Sequence, residues 1–115
     1  MKGFLSRASG AIWERDLDDR MTEEITAPVR DNPAQSRFEL EIDGFLALAD
    51  YQLEGGVMTF THTESPLALR GRGAASKLIH DALLSARERG LKVRATCSFV
   101  VVYLQRHEEF ADLIA

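Results

Sequence analysis

Polar and apolar residues alternate strictly along Arg37-Phe38-Glu39-Leu40-Glu41-Ile42, a pattern that predicts a half-buried β-strand. Asp43-Gly44 follows, and both residues tolerate positive φ, so a tight hairpin turn is expected there. Phe45–Leu53 reads as a second strand, closed by Gly55-Gly56, and Val57–Glu64 as a third. In the third, simple alternation places Met58, Phe60, His62 and Glu64 on one face and Val57, Thr59, Thr61 and Thr63 on the other. Pro66 ends this antiparallel meander, because it cannot donate to a ladder.

The period then changes. Ala74, Ala75, Leu78, Ile79, Ala82, Leu83 and Ala86 recur at helical spacing and predict an amphipathic helix. Arg87 and Arg89 favour its negative dipole end, and Gly90 supplies a stop. Leu91–Cys97 alternates again, with Leu91, Val93, Ala95 and Cys97 on one side, and reads as a short strand. Phe99–Leu104 is pulled two ways. Val100-Val101-Val102 favours a strand, whereas Phe99, Tyr103 and Phe110 with Leu113 and Ile114 suit short helices against a core.

Upstream, Thr26–Ser36 contains Pro28 and Pro33 and reads as an extended lead-in with a turn. Met1–Trp13 carries Phe4, Leu5, Ala8, Ile12 and Trp13 on one helical stripe, interrupted by Gly10. Met21 is an alternative start. The expected division is an N-terminal extension over 1–25, helical or flexible, and one α/β domain over 26–115. Ile12 and Trp13 could pair two chains, so the expected state is a monomer or a weak homodimer.

A length of 115 residues suits one domain, and 45% hydrophobic with 28% charged residues is ordinary for a globular protein. No apolar run approaches the ~20 residues of a membrane span. Cys97 is the only cysteine, which excludes a disulfide framework and a cysteine-rich zinc site within the chain. A lone thiol suits a reducing cytoplasm. No His/Asp/Glu set has metal-ligand spacing, so no metal is expected. The net charge of −4 argues against nucleic acid as a partner. It is unevenly spread: residues 1–66 hold six Lys/Arg against thirteen Asp/Glu, and residues 67–115 hold eight against five. The stretch 70–94 alone carries +5, which suggests one anionic ligand rather than a polyanion.

That stretch opens with Leu67-Ala68-Leu69-Arg70-Gly71-Arg72-Gly73-Ala74-Ala75-Ser76-Lys77, between a strand end and a helix start. A helix N-terminus offers unpaired N–H groups and a positive dipole end, which suit phosphate. Gly71 and Gly73 allow close approach of the backbone, and Arg70 and Arg72 add two-pronged donors. The competing reading is a glycine-rich turn with solvated arginines. A P-loop is excluded, since Gly-x4-Gly-Lys-[Ser/Thr] does not occur here. A dinucleotide fold is disfavoured: Ser76 stands at the third glycine position and Leu91–Phe99 holds no carboxylate for a ribose.

Arg70-Gly71-Arg72-Gly73-Ala74-Ala75 fits the Arg/Gln-x-x-Gly-x-Gly/Ala signature of the GNAT superfamily of acetyl-CoA-dependent N-acetyltransferases. With Arg37-Phe38-Glu39-Leu40, Asp43-Gly44, Tyr51, His62-Thr63-Glu64, Cys97-Ser98-Phe99, Tyr103 and His107, the chain resembles the minimal YjdJ-type subfamily from about Val29 to the C-terminus. It departs from that pattern at Ser65, where valine is usual, and at Ala95, where proline is usual. The resemblance implies a small three-layer α/β fold whose fourth strand splays from the fifth around the pantetheine arm of acetyl-CoA. It also implies helices after Cys97. Carried over by position, Glu64 and Ser65 would bond pantetheine through their backbone, and Arg70, Gly71, Arg72, Gly73, Ala74, Ala75 and Ser76 would cradle the diphosphate.

Amine acetylation needs a neutral amine, a held thioester carbonyl and a proton for the leaving thiolate. Glu64 is the first candidate base and His62, two residues away, a possible relay; the plainer alternatives are an edge carboxylate and a rim histidine. Cys97 either contacts or accepts the acetyl group, or is a small buried hydrophobe. Tyr103 falls where the family often places the acid that protonates departing CoA, and otherwise packs in the core. His107, with Glu108 and Glu109, reads as a solvated helix start. The expected partners are acetyl-CoA and an amine; the rival is a non-catalytic acyl-CoA-binding module.

Overall fold

A computed structural model describes residues 27–115 of the chain. The expectations for the N-terminal extension, including pairing through Trp13 and the start at Met21, lie outside the described residues.

Five strands form one sheet in sequential order: β1 (Arg30–Asn32), β2 (Arg37–Ile42), β3 (Phe45–Glu54), β4 (Val57–Glu64) and β5 (Lys92–Ala95). The first four are antiparallel, and β5 runs parallel to β4 after a crossover through helix α1 (Ala74–Glu88). Helix α2 (Ser98–Arg106) and a 3₁₀ segment (Glu108–Leu113) complete the chain. The short strand β1 goes beyond the extended lead-in expected for Thr26–Ser36. It is tied in by side chains: Tyr51 Oη donates to Asp31 Oδ1 at 2.6 Å, and Arg89 Nη1 to Asp31 Oδ2 at 3.0 Å.

The hairpin between β2 and β3 needs only Asp43 and Gly44, at φ 53° and 82°, with Ile42 opposite Phe45. Two left-handed residues in a row twist the turn to match the strands. Helix α1 ends as its sequence predicts: the Gly90 amide bonds Arg87 O at 3.1 Å, and the Leu91 amide bonds Ala86 O at 2.9 Å.

All fully buried strand residues lie on one face. Phe38, Leu40, Ala47, Ala49, Tyr51, Met58, Phe60 and Val93 pack beneath Ala74, Leu78, Ile79, Ala82, Leu83 and Ala86 of α1, with Val100 and Tyr103 of α2 in the same cluster. On the other face, Leu46, Leu48, Thr59 and Thr61 are only partly buried. The described residues therefore make two layers, one fewer than the resemblance implies. The three β-branched residues Val100–Val102 are helical: Val100 is fully buried and Tyr103 nearly so, and that packing overrides local strand propensity. Phe110 and Leu113 reach the core as expected, but Phe99 and Ile114 do not, at 38% and 48% exposed.

Strand β4 corrects the simple alternation. Asp50 pairs with His62 but Tyr51 pairs with Phe60, so Thr61 is an extra residue, a bulge. Beyond it the parity flips. Thr63 stands opposite the buried Ala49 and so faces the helices, while His62 and Glu64 turn to the open face and are exposed. The shared face expected for Met58, Phe60, His62 and Glu64 does not exist.

Candidate active site

Strands β4 and β5 pair only from Val57–Lys92 to Phe60–Ala95. At the end of this ladder the Thr96 and Cys97 amides both converge on Phe60 O, at 3.0 and 3.3 Å, and the two strands part. The parting opens a cleft of about 360 Å³, lined by Thr63, Ser65, Leu69, Arg70, Gly71, the first turn of α1 and Phe99.

The loop at the cleft is built from alternating commitments. Leu69 is 1% exposed and anchors it in the core. The Arg70 amide donates to Leu67 O at 3.0 Å and the Arg72 amide to Leu69 O at 3.1 Å. The amides of Gly71, Gly73, Ala74, Ala75 and Ser76 have no such partner among the described residues; the first intrahelical donor is Lys77, to Gly73 O at 3.0 Å. Gly71 and Gly73 make this arrangement possible with φ of 81° and 79°, a backbone region that side chains disfavour. Helix α1 has no side-chain cap and no carboxylate in its first turn, so its positive end is not neutralised by its own residues.

The cationic stretch is mostly paired internally. Arg72 holds Asp43 at 3.0 Å, Lys77 holds Asp81 at 2.9 Å, Arg89 holds Asp31, and Arg87 holds Asp112. Arg70 lines the cleft, is exposed, and makes no ion pair among the described residues. Of the two arginines the sequence offers to an anion, Arg70 is therefore placed to meet it and Arg72 is engaged elsewhere.

Cys97 is not the end of a strand. β5 stops at Ala95, and Cys97 is the residue that precedes α2. Its Sγ donates to Thr63 Oγ1 at 3.4 Å across the parted strands. Burial pushes the thiol up, but the Thr63 hydroxyl and the amides of Val100, Phe99 and Thr63 outweigh it, so its pKa lies below the ordinary 9.0. Thr63, which sequence reasoning missed, is thus both a wall of the cleft and the partner of the thiol; only the bulge reveals it.

Cys97 adjoins the cleft through Thr63 without lining it, and the remaining candidates lie apart from the cleft walls. His62 Nε2 and Glu64 Oε2 are 2.9 Å apart on the open face, with side chains 54% and 62% exposed. Tyr103 stacks on the His107 ring, with centroids 3.8 Å apart, and does not line the cleft. His107 does start a helix, the 3₁₀ segment, but is half-buried and not solvated, and its Nδ1 lies 2.8 Å from Tyr103 O. Burial, reinforced by the charges of Glu109 and Asp81, pushes the Tyr103 phenol up to about 12. Among the described residues no cluster of His, Cys, Asp and Glu could hold a metal ion, and no helix is long and apolar enough to cross a membrane.

Comparison with known proteins agrees with this geometry. The family described as GCN5-related N-acetyl-transferase matches residues 37–113. Among solved structures, a GCN5-like protein from Staphylococcus aureus, determined by NMR in solution, superposes with a TM-score of 0.59. It is 24% identical, over 77% of this chain and 88% of its own, a likeness that speaks to the fold. No curated protein matches the chain.

Proposed function

Because the chain belongs to the GCN5-related N-acetyltransferase family, we propose that it binds acetyl-CoA in the cleft between β4 and β5 and transfers the acetyl group to an amine. The observation that carries this reading is the row of uncommitted amides at Gly71 and Gly73–Ser76, backed by Arg70 and by the positive end of α1. Such a row suits a diphosphate, whose oxygens need several donors held in advance. Ser65 borders the same cleft, next to the stretch of β4 that β5 leaves unpaired, where a pantetheine amide would find backbone partners.

Bound acetyl-CoA supplies an acetyl thioester; the chain supplies placement and proton handling. His62 and Glu64 stand together at the end of β4 on the open face, so an amine arriving from that face meets a carboxylate and an imidazole that can take its proton. The Cys97 thiol, held low by Thr63 and the head of α2, adjoins the cleft through Thr63, which supports a role in contacting the acetyl group. Within the family, the helix-free connections from β1 to β2 and from β2 to β3 support a minimal branch of the YjdJ type, since full-size members insert two helices between early strands. We take 26–115 as the acetyltransferase domain.

Isothermal titration with acetyl-CoA, followed by thiol release in the presence of lysine peptides and small amines, tests this reading. Saturable heat with amine-dependent release of CoA thiol is the expected result. Heat without release would replace the enzyme with an acyl-CoA-binding module, and the absence of heat would remove the reading altogether.

A further inference from the structure

We propose that Arg72 is a positioning residue of the diphosphate loop, acting through Asp43 and not through the ligand. This rests on the reading of the cleft given above. Arg72 lies between Gly71 and Gly73, both left-handed, so it occupies the stretch of chain with the most conformational freedom to lose. It is fixed at both ends. Its amide bonds Leu69 O at 3.1 Å, and its Nη1 donates to Asp43 Oδ2 at 3.0 Å.

Asp43 is far away in sequence but well anchored. It sits in the two-residue hairpin between β2 and β3, directly after Ile42, which is 7% exposed and pairs with Phe45. The hairpin thereby acts as a fixed post on the sheet, and the Arg72 guanidinium braces the loop against it. The cleft walls include Arg70, Gly71 and Gly73 but not Arg72. With the brace in place the amides of Gly71 and Gly73 are ordered before the ligand arrives. Without it, their ordering is deferred to the binding step and weakens affinity.

Asp43→Asn separates the two roles by sign. Asparagine tolerates the left-handed φ of 53° at this position, so the turn is preserved. If Arg72 gripped the diphosphate, removing Asp43 would release the guanidinium and delete a nearby negative charge, and acetyl-CoA would bind more tightly. The brace requires the opposite. Titration calorimetry of the full chain with acetyl-CoA should show Asp43→Asn and Arg72→Gln each weakening binding by about two- to fivefold, the scale an exposed ion pair transmits. The double variant should be no worse than either single one. Arg72→Lys, which keeps a charged donor, should restore most of the affinity, and the salt dependence of Kd in Arg72→Gln should match the wild type.

Tighter binding in Asp43→Asn, or a shallower salt dependence in Arg72→Gln, would overturn the brace while leaving the acetyl-CoA site intact. A wild-type chain that does not bind acetyl-CoA would overturn the site itself, and the brace with it.

Discussion

Arg70→Gln isolates the contribution of a single guanidinium to ligand binding. The Arg70 amide is already committed to Leu67 O, so only the side chain can reach an anion in the cleft. The side chain is exposed and makes no ion pair among the described residues, so its loss should change folding stability by no more than about 0.5 kcal/mol. A hydrogen bond to a charged group contributes about 1.5–3 kcal/mol. Exposure puts Arg70 at the low end, and about 1.4 kcal/mol corresponds to a tenfold rise in Kd. Calorimetric titration of acetyl-CoA into both proteins at low ionic strength measures this directly. The gap should narrow toward 1 M salt, where the screening length falls to about 3 Å. An unchanged Kd, or a gap that salt does not touch, would refute the assignment of this loop to a diphosphate.

Three further outcomes follow from the same structure. Gly73→Val forces a β-branched residue to φ 79° and should lower stability in urea unfolding by about 1–2 kcal/mol, with a parallel loss of acetyl-CoA affinity. Cys97 should react with a disulfide reagent with a midpoint below 9.0, and Thr63→Val, which deletes the hydroxyl partner, should raise that midpoint. The chain has two tyrosines, and burial is the main reason both phenols are pushed from 10.0 up to about 12; Tyr51 also donates to Asp31. Their protonated forms therefore contribute stability in full below pH 10, and it is lost as pH rises from 10 through 12. Absorbance near 295 nm should show little tyrosinate in the folded protein at pH 10.5, and ionisation there would contradict the burial of both rings.

Elements held by local patterning were legible in the sequence. The β2 alternation, the Asp43-Gly44 turn, the α1 stripe and the Gly90 stop depend on neighbours within a few positions, and each lies where expected. The glycine loop was legible as a backbone device, but the fate of its two arginines was not. Arg72 finds its partner 29 positions away, on a hairpin whose approach no local pattern encodes. The bulge at Thr61 is set by how β4 pairs with β3, and it moved His62 and Glu64 to the open face and Thr63 into the cleft. Cys97 continued an alternating run on paper, yet the ladder had already ended at Ala95 and its amide had turned to Phe60. Val100–Val102 show the converse: strong strand propensity lost to the burial of Val100 and Tyr103.

The extra residue in β4 divides one strand into two halves that answer to different demands. Upstream, Met58 and Phe60 must fit the interior, and changes there would be felt as altered stability. Downstream, the phase is shifted by one, so Thr63 lines the cleft while His62 and Glu64 stand on the opposite, open surface. Positions 62 and 64 can thus change without disturbing the interior on the opposite side of the sheet. Removing Thr61 would leave His62, Thr63 and Glu64 opposite Asp50, Ala49 and Leu48, so both surfaces would survive and only the local twist of the bulge would be lost.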